Sequence, residues 1–267
     1  MTHIHDHNRR AWDERARRQQ VFTRPASNDE VDASLARLAT GTWLDGGVAG
    51  KRLLCLAAGG GRQAVQYAAA GARVTVVDIS AEMLALDRAV AGEKDLAVET
   101  VQASMDDLSM LPPRAFDVVI QPVSTCYLPD VQAVYRQVAR VTAAGGLYIS
   151  QHKQPASLQA HVSPSPRGYE LIEPYYRAGP LPPVTGSIHR EAGTLEFLHR
   201  WEELIGGMCR AGFVIEDLIE PRHIKDDAKP GSFADRSRYV PPYVLIKARR
   251  VGDESATPAI SKSVWTP

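Results

Sequence analysis

Cysteine is scarce in this 267-residue chain: there are three, Cys55, Cys126 and Cys209, far apart in sequence. An odd, sparse set supplies neither a disulfide framework nor a Cys-x-x-Cys metal spacing, and it fits a reducing, cytoplasmic setting. Net charge is absent too, with 31 basic against 31 acidic residues. That argues against a dedicated nucleic-acid binder, which carries a basic excess. No apolar run approaches the roughly 18 residues a membrane-spanning helix needs. The opening "MTHIHDHNRRAWDE" is polar, with no apolar signal core. Internal repeats are missing as well. A soluble, intracellular protein without a membrane partner is expected.

Apolar residues are plentiful at 44%, enough for a sizeable core in one large domain or two small ones. Residues 1–48 read as an N-terminal helical cap. "NRRAWDERARRQQ" is rich in helix formers, its charges a solvated face. "SNDEVDASLARLATGTWL" starts a second helix at Ser27 or Asn28. From residue 49 to 152 strands and helices alternate. "RLLCLA" (52–57), "RVTVVDIS" (73–80), "AVETVQA" (97–103), "AFDVVIQPVS" (115–124) and "GLYISQH" (146–152) read as strands, with helical patterns between them. This rhythm predicts a doubly wound α/β fold with a mostly parallel sheet. Residues 153–195 break it. They hold seven of the chain's 18 prolines plus Tyr169, Tyr175 and Tyr176, and read as an irregular lid over a substrate. Residues 196–250 return to the sheet. A helix over 195–212 precedes two late strands, 213–220 and 238–250, which are expected to pair antiparallel and bring the sheet to seven strands. The tail 251–267 reads as disordered.

The stretch "LCLAAGGGRQA" (54–64) carries the chemistry. Gly59, Gly61 and Ala64 match the G-x-G-x-x-[GA] spacing between a strand and a helix. The first glycine permits the turn, the second lets backbone approach a ligand, and the small third residue lets helix and strand pack. A tight turn with no ligand would look similar. Asp78 weighs against that: it closes the second strand, where strand ends converge on a crevice. Its carboxylate can accept both hydroxyl protons of a ribose, since Ser80 is free to cap the next helix. An adenosine-type ligand follows, used by nicotinamide-dependent dehydrogenases and by S-adenosyl-L-methionine (SAM) methyltransferases.

Over residues 50–150 the sequence resembles the class I SAM-dependent methyltransferases, and more loosely towards both ends. "LLCLAAGGGRQA" is similar to their first motif and "VTVVDIS" followed by "AEML" to the second. "QASMDDLSML" is similar to the adenine-side loop, "FDVVIQPVSTCYLPD" to the strand-four motif, and "VARVTAAGGLYIS" to the passage into strand five. The resemblance implies cofactor contacts from Ala57, Gly59, Gly61, Asp78, Ile79, Met83, Ser104, Met105, Asp106 and Gln121, with Trp12 closing over the cofactor or anchoring the N-terminal helices. The family often has an acid at Cys55, a glycine at Ala57 and an aspartate at Ser104; Asp106 or the backbone at Met105 would take over from Ser104. A dehydrogenase would need a set such as Tyr-x-x-x-Lys, which is not visible.

Methyl transfer from a sulfonium needs alignment, exclusion of water and, for some acceptors, a base. Gln121, Ser124, Cys126, Tyr127 and His152 lie near the ends of strands four and five. His152 is the expected general base, a helix-side or surface histidine being the alternative, and Tyr127 an orienting group or simply pocket wall. His161, His189 and His199 are further candidates, and Cys126 reads as inert packing. "HIHDH" (3–7) reads as solvated sequence at a frayed end, and Asp106-Asp107 lacks a third ligand, so no metal is expected. The acceptor expected from the neutral composition and the tyrosine-rich insertion is a small molecule. Methylation of nucleic acid or protein, a dinucleotide-dependent oxidoreductase, and a non-catalytic SAM-binding module are the alternatives.

Overall fold

The computed structural model describes residues 2–25, 27, 43–44, 46–185, 187 and 189–252. The second expected helix falls largely on residues 28–42, and most of the tail on 253–267; both lie outside the described residues.

Apolar runs in the first half of the chain form the sheet. Strands β1 (Arg52–Leu56), β2 (Arg73–Asp78), β3 (Val98–Gln102), β4 (Phe116–Gln121) and β5 (Thr142–Lys153) run parallel. Strands β6 (Phe213–Ile219) and β7 (Tyr243–Arg250) complete seven in the order β3-β2-β1-β4-β5-β7-β6, and β7 runs antiparallel to both its neighbours. Along β1, side chains alternate between two apolar layers. Leu54 and Leu56 join a cluster with Val77, Val119 and Tyr135, while Leu53 and Cys55 join one with Val76, Val118 and Leu84. Burial on both faces is why these strands read as continuous apolar runs.

Of helices α1 (His3–Arg17), α2 (Gln63–Ala69), α3 (Ala81–Glu93) and α4 (Val131–Val141), the last three pack on this sheet and α1 packs on α3. Their starts follow from capping side chains: Ser80 accepts from the Met83 amide and Asp130 from that of Gln132. Thr2 does the same for α1. The His5 ring accepts from the Thr2 amide in return, so α1 begins at His3 and takes in the histidine-rich segment expected to fray.

Three further boundaries differ from expectation. Residues 195–200 are extended and mostly buried, not helical; a wide helical turn, Glu202–Gly206, and α6 (Gly207–Arg210) follow them. The reason is tertiary: Phe197 donates its amide to the Cys126 carbonyl, and Glu196 accepts one from Leu181. The last strand starts at Tyr243 because Pro241 and Pro242 precede it. Among its described residues the insertion holds one short helix, α5 (Pro155–Gln159), with proline in its first turn, where no amide is needed. A last short helix, α7 (Phe233–Arg236), lies between β6 and β7.

Candidate cofactor crevice and acceptor pocket

The strand order reverses at β1, between β2 and β4, so the carboxyl ends of these strands splay into a crevice. Ala57 leaves β1 with φ of 49°, the left-handed region, with its amide bonded to the Val77 carbonyl. The glycine common in the family at this position fits that backbone better than alanine does. Gly59 is required for space: a Cβ there would lie 2.8 Å from Met83 Cβ and 3.0 Å from Asp78 Oδ2.

Two buried carboxylates hold the loop. Asp78 accepts the Gly59 amide on Oδ2 (3.0 Å) and the Ser80 amide on Oδ1 (2.9 Å). Asp87, on α3, accepts the Gly60 and Gly61 amides on its two oxygens, both at 3.0 Å. Burial raises both carboxyls, Asp78 to about 6 and Asp87 to about 7, against the pull of the amides. Asp87 had no signature in the sequence, where it reads as one polar residue of a helix.

Helix α1 lies across the crevice. His5 Nε2 meets Asp106 Oδ2 at 2.9 Å, and Ser80 donates to Asp13 at 2.6 Å. Asn8 donates to the Tyr127 carbonyl (2.8 Å) and accepts from the Leu195 amide (2.8 Å). The indole of Trp12 stands edge-on to Tyr127, ring centres 5.5 Å apart. Of the histidine-rich segment, His3 and His7 are exposed as expected, while His5 lines the enclosure.

Beneath α1 lies a cavity of about 690 Å³. Ala57, Gly59, Asp78, Ile79, Met83, Ser104 and Met105 line it, as do Trp12 and Tyr127. Ser124 lines it too. Four expected site residues do not. Gly61 is turned into the Asp87 grip, and Asp106 is engaged by His5. Gln121 is sealed, bonded to Tyr148, Ser124 and the Met105 sulfur. His152, with 1% of its surface exposed, also lies outside the lining.

For His152 the geometry does not support the expected role. Its ring nitrogens meet Thr125 Oγ1 and Ser150 Oγ, each at 2.8 Å, and the Tyr135 ring lies edge-on. Burial, assisted by His199, lowers it to about 3. Position at a strand end was legible; closure by the turn Thr125–Tyr127 and by α4 was not. His199 is likewise buried, against the Thr125 carbonyl, and His161 is exposed. His189 stacks on Phe233, and burial lowers it to about 4. Cys126 is buried, which raises its thiol. The three tyrosines of the insertion are absent from the lining. Tyr169 donates to Asp235, and Tyr175 and Tyr176 contact each other.

Gln151, Glu191 and Tyr243 line the cavity without having been anticipated. Glu191 belongs to a buried ionic cluster. Lys153 Nζ reaches Glu191 Oε2 and Glu196 Oε1, each at 2.5 Å, Arg190 pairs with Glu196, and Tyr127 donates to Glu191 Oε2 at 2.9 Å. Burial opposes every charge here; pairing outweighs it at Lys153 and Glu191, and burial prevails at Glu196. Lys153 is held protonated, well above its ordinary range, Glu191 lies below the usual carboxylate range, and Glu196 above it. No pattern in the sequence brings Lys153, Arg190, Glu191 and Glu196 together.

Comparison with known proteins agrees with this geometry. Residues 54–150 match the family described as methyltransferase domain. An uncharacterized methyltransferase of Bacillus subtilis, YbaJ, is 31% identical over 230 residues, 81% of this chain and 90% of that protein. The ubiquinone biosynthesis O-methyltransferase of Klebsiella pneumoniae is 36% identical over 101 residues, 38% of this chain and 42% of that protein. Among solved structures, an S-adenosylmethionine-dependent methyltransferase from Mesorhizobium loti shares the fold with a TM-score of 0.62 at 23% identity, covering 83% of this chain and 98% of that one. Among the described residues, no helix is long and apolar enough to cross a membrane. The protein is an enzyme whose cofactor is SAM, and the chain belongs to the class I SAM-dependent methyltransferases.

Proposed function

We propose that this enzyme methylates a small-molecule acceptor held in the part of the cavity beside β5 and β7. One observation carries the reading. The cavity lined by Asp78 and Ile79 at the end of β2 is also lined by Gln151 of β5, Tyr243 of β7 and Glu191, on the opposite side of the sheet order. A volume of about 690 Å³ lies within the range of sites for small organic ligands.

The residues present suit the cofactor. Asp78 accepts the Gly59 and Ser80 amides, with the Ile79 amide also directed at its carboxylate, and what acceptor capacity remains is available to a ribose hydroxyl. With its carboxyl raised to about 6, the group is mostly ionised at neutral pH. Ile79 and Met105 offer apolar surface to a purine, and Gly59 keeps that side of the crevice free of a side chain. When bound, SAM supplies an electrophilic methyl on a sulfonium. What the chain adds is orientation and exclusion of water, by Trp12 of α1 and Tyr127 beneath it. The name of the Klebsiella relative, an O-methyltransferase of ubiquinone biosynthesis, supports a small acceptor.

Calorimetry with SAM, its demethylated product S-adenosylhomocysteine and NAD tests the cofactor half; the first two are expected to bind and NAD not. Incubation with isotopically methyl-labelled SAM and, separately, a metabolite extract, tRNA and a protein mixture tests the acceptor half. Label is expected in a small molecule, and label confined to tRNA or protein would overturn that half.

A further inference from the structure

We propose that Glu191 receives the acceptor's hydroxyl proton, and that the acceptor is an uncharged alcohol or phenol with an apolar body. The proposal rests on methyl transfer taking place in this cavity.

Three observations lead to it. Glu191 lines the cavity, yet its side chain is only 8% exposed. Its Oε2 is used twice, by Tyr127 and by Lys153. Its Oε1 receives no N–H or hydroxyl donor among the described residues. A carboxylate anchored through one oxygen, with the other left over in a cavity, is a preorganised acceptor for a ligand's X–H group. The surrounding charge sets the kind of ligand. Lys153 and Arg190 balance Glu191 and Glu196, so the cluster has no net charge. An ammonium ligand would meet a carboxylate already neutralised by Lys153, and a ligand carboxylate would be repelled by Glu191. The neighbouring walls are aromatic and apolar, from Trp12, Val123, Tyr127 and Tyr243. An uncharged hydroxyl on an apolar frame satisfies both.

The step balances without another reactant. The acceptor oxygen forms its bond to the methyl carbon, the carbon–sulfur bond breaks with its electron pair left on sulfur, and the hydroxyl proton passes to Glu191 Oε1. A hydroxyl becomes strongly acidic as its oxygen is alkylated, so even a carboxylate held low by Lys153 takes the proton downhill. Glu196 shares Lys153 with Glu191.

The test is binding to protein saturated with S-adenosylhomocysteine, read by calorimetry with four matched probes. These are para-cresol, its methyl ether, para-toluidine and para-hydroxybenzoate. We expect para-cresol to bind about tenfold or more tightly than the ether, which cannot donate, and more tightly than the carboxylate. Glu191→Gln should erase the preference for cresol over ether while S-adenosylhomocysteine affinity stays unchanged. Glu191→Asp keeps the charge pair but withdraws the oxygen, and should lose the same preference should the glutamine variant fail to fold. Equal binding of cresol and ether, a preference surviving both variants, tightest binding of the toluidine, or no binding of any probe to the saturated protein would overturn the proposal and leave the cofactor reading intact. Failure of S-adenosylhomocysteine itself to bind would instead sink the proposed function.

Discussion

Replacing His152 by glutamine should change how the protein responds to acid. The imidazole is sealed between Thr125 and Ser150, and burial lowers it from 6.5 to about 3. A histidine lowered on folding contributes stability that is present above the unfolded value and lost as pH falls towards the folded one, because only the unfolded chain takes up the proton. Each pH unit between those limits is worth about 1.36 kcal/mol. From pH 7 to pH 4 the native state therefore loses about 3 kcal/mol through this residue alone. Glutamine has no charge to gain and still offers an acceptor and donors to the two hydroxyls. Its fixed cost from altered packing is the same at both pH values, so only the difference is read. Urea unfolding followed by tryptophan fluorescence should show the wild-type protein losing about 3 kcal/mol more than His152→Gln over that interval. Titrating groups distant from the ring are common to both proteins and cancel; its neighbour His199 is coupled to it, which the double variant with His199→Gln controls for. A stability gap that stays constant from pH 7 to pH 4 would mean that the ring is solvated or already charged, and would reopen its candidacy as a base.

Asp78→Asn should weaken S-adenosylhomocysteine binding by about 1.5–3 kcal/mol, the usual worth of a hydrogen bond to a charged group; an unchanged Kd in calorimetry would remove its ribose role. Asp87→Asn points an NH₂ at one of the two amides the carboxylate holds. It should cost about 1–3 kcal/mol, seen as a lower melting temperature, and should also loosen cofactor binding. Ala57→Gly relieves a left-handed alanine of about 1–2 kcal/mol of strain. Set against the greater freedom of glycine in the unfolded chain, roughly 0.5–1 kcal/mol, the variant should melt slightly higher.

What could be read beforehand was whatever depends on neighbours in sequence. The buried strands announced themselves as apolar runs bounded by glycine and capping residues, and Ser80 capping α3 while Asp78 faces the crevice needed only adjacent positions. Ala57 was visible as a departure, and the backbone shows its cost. The acceptor side was not legible in the same way. Lys153, Glu191 and Glu196 come from segments 38 and 43 residues apart, and charge pairing has no period that a pattern could reveal. Helix propensity failed over 195–200 for the same reason: the ion cluster and the Cys126 carbonyl outweigh local preference, which amounts to tenths of a kcal/mol per residue. At the amino terminus, a single capping threonine brought five residues into α1 that looked frayed, and with them His5 over the crevice.

The docking of α1 bears on how the chain is born. Asn8 joins two carbonyls and an amide that belong to Tyr127 and Leu195. During synthesis α1 can meet Ser80 and Asp106 early, but the Leu195 half of the Asn8 bridge is still missing when the five parallel strands are available at residue 153. The nascent enzyme thus passes through a stage with its nucleoside groove built and the roof over it only partly fastened.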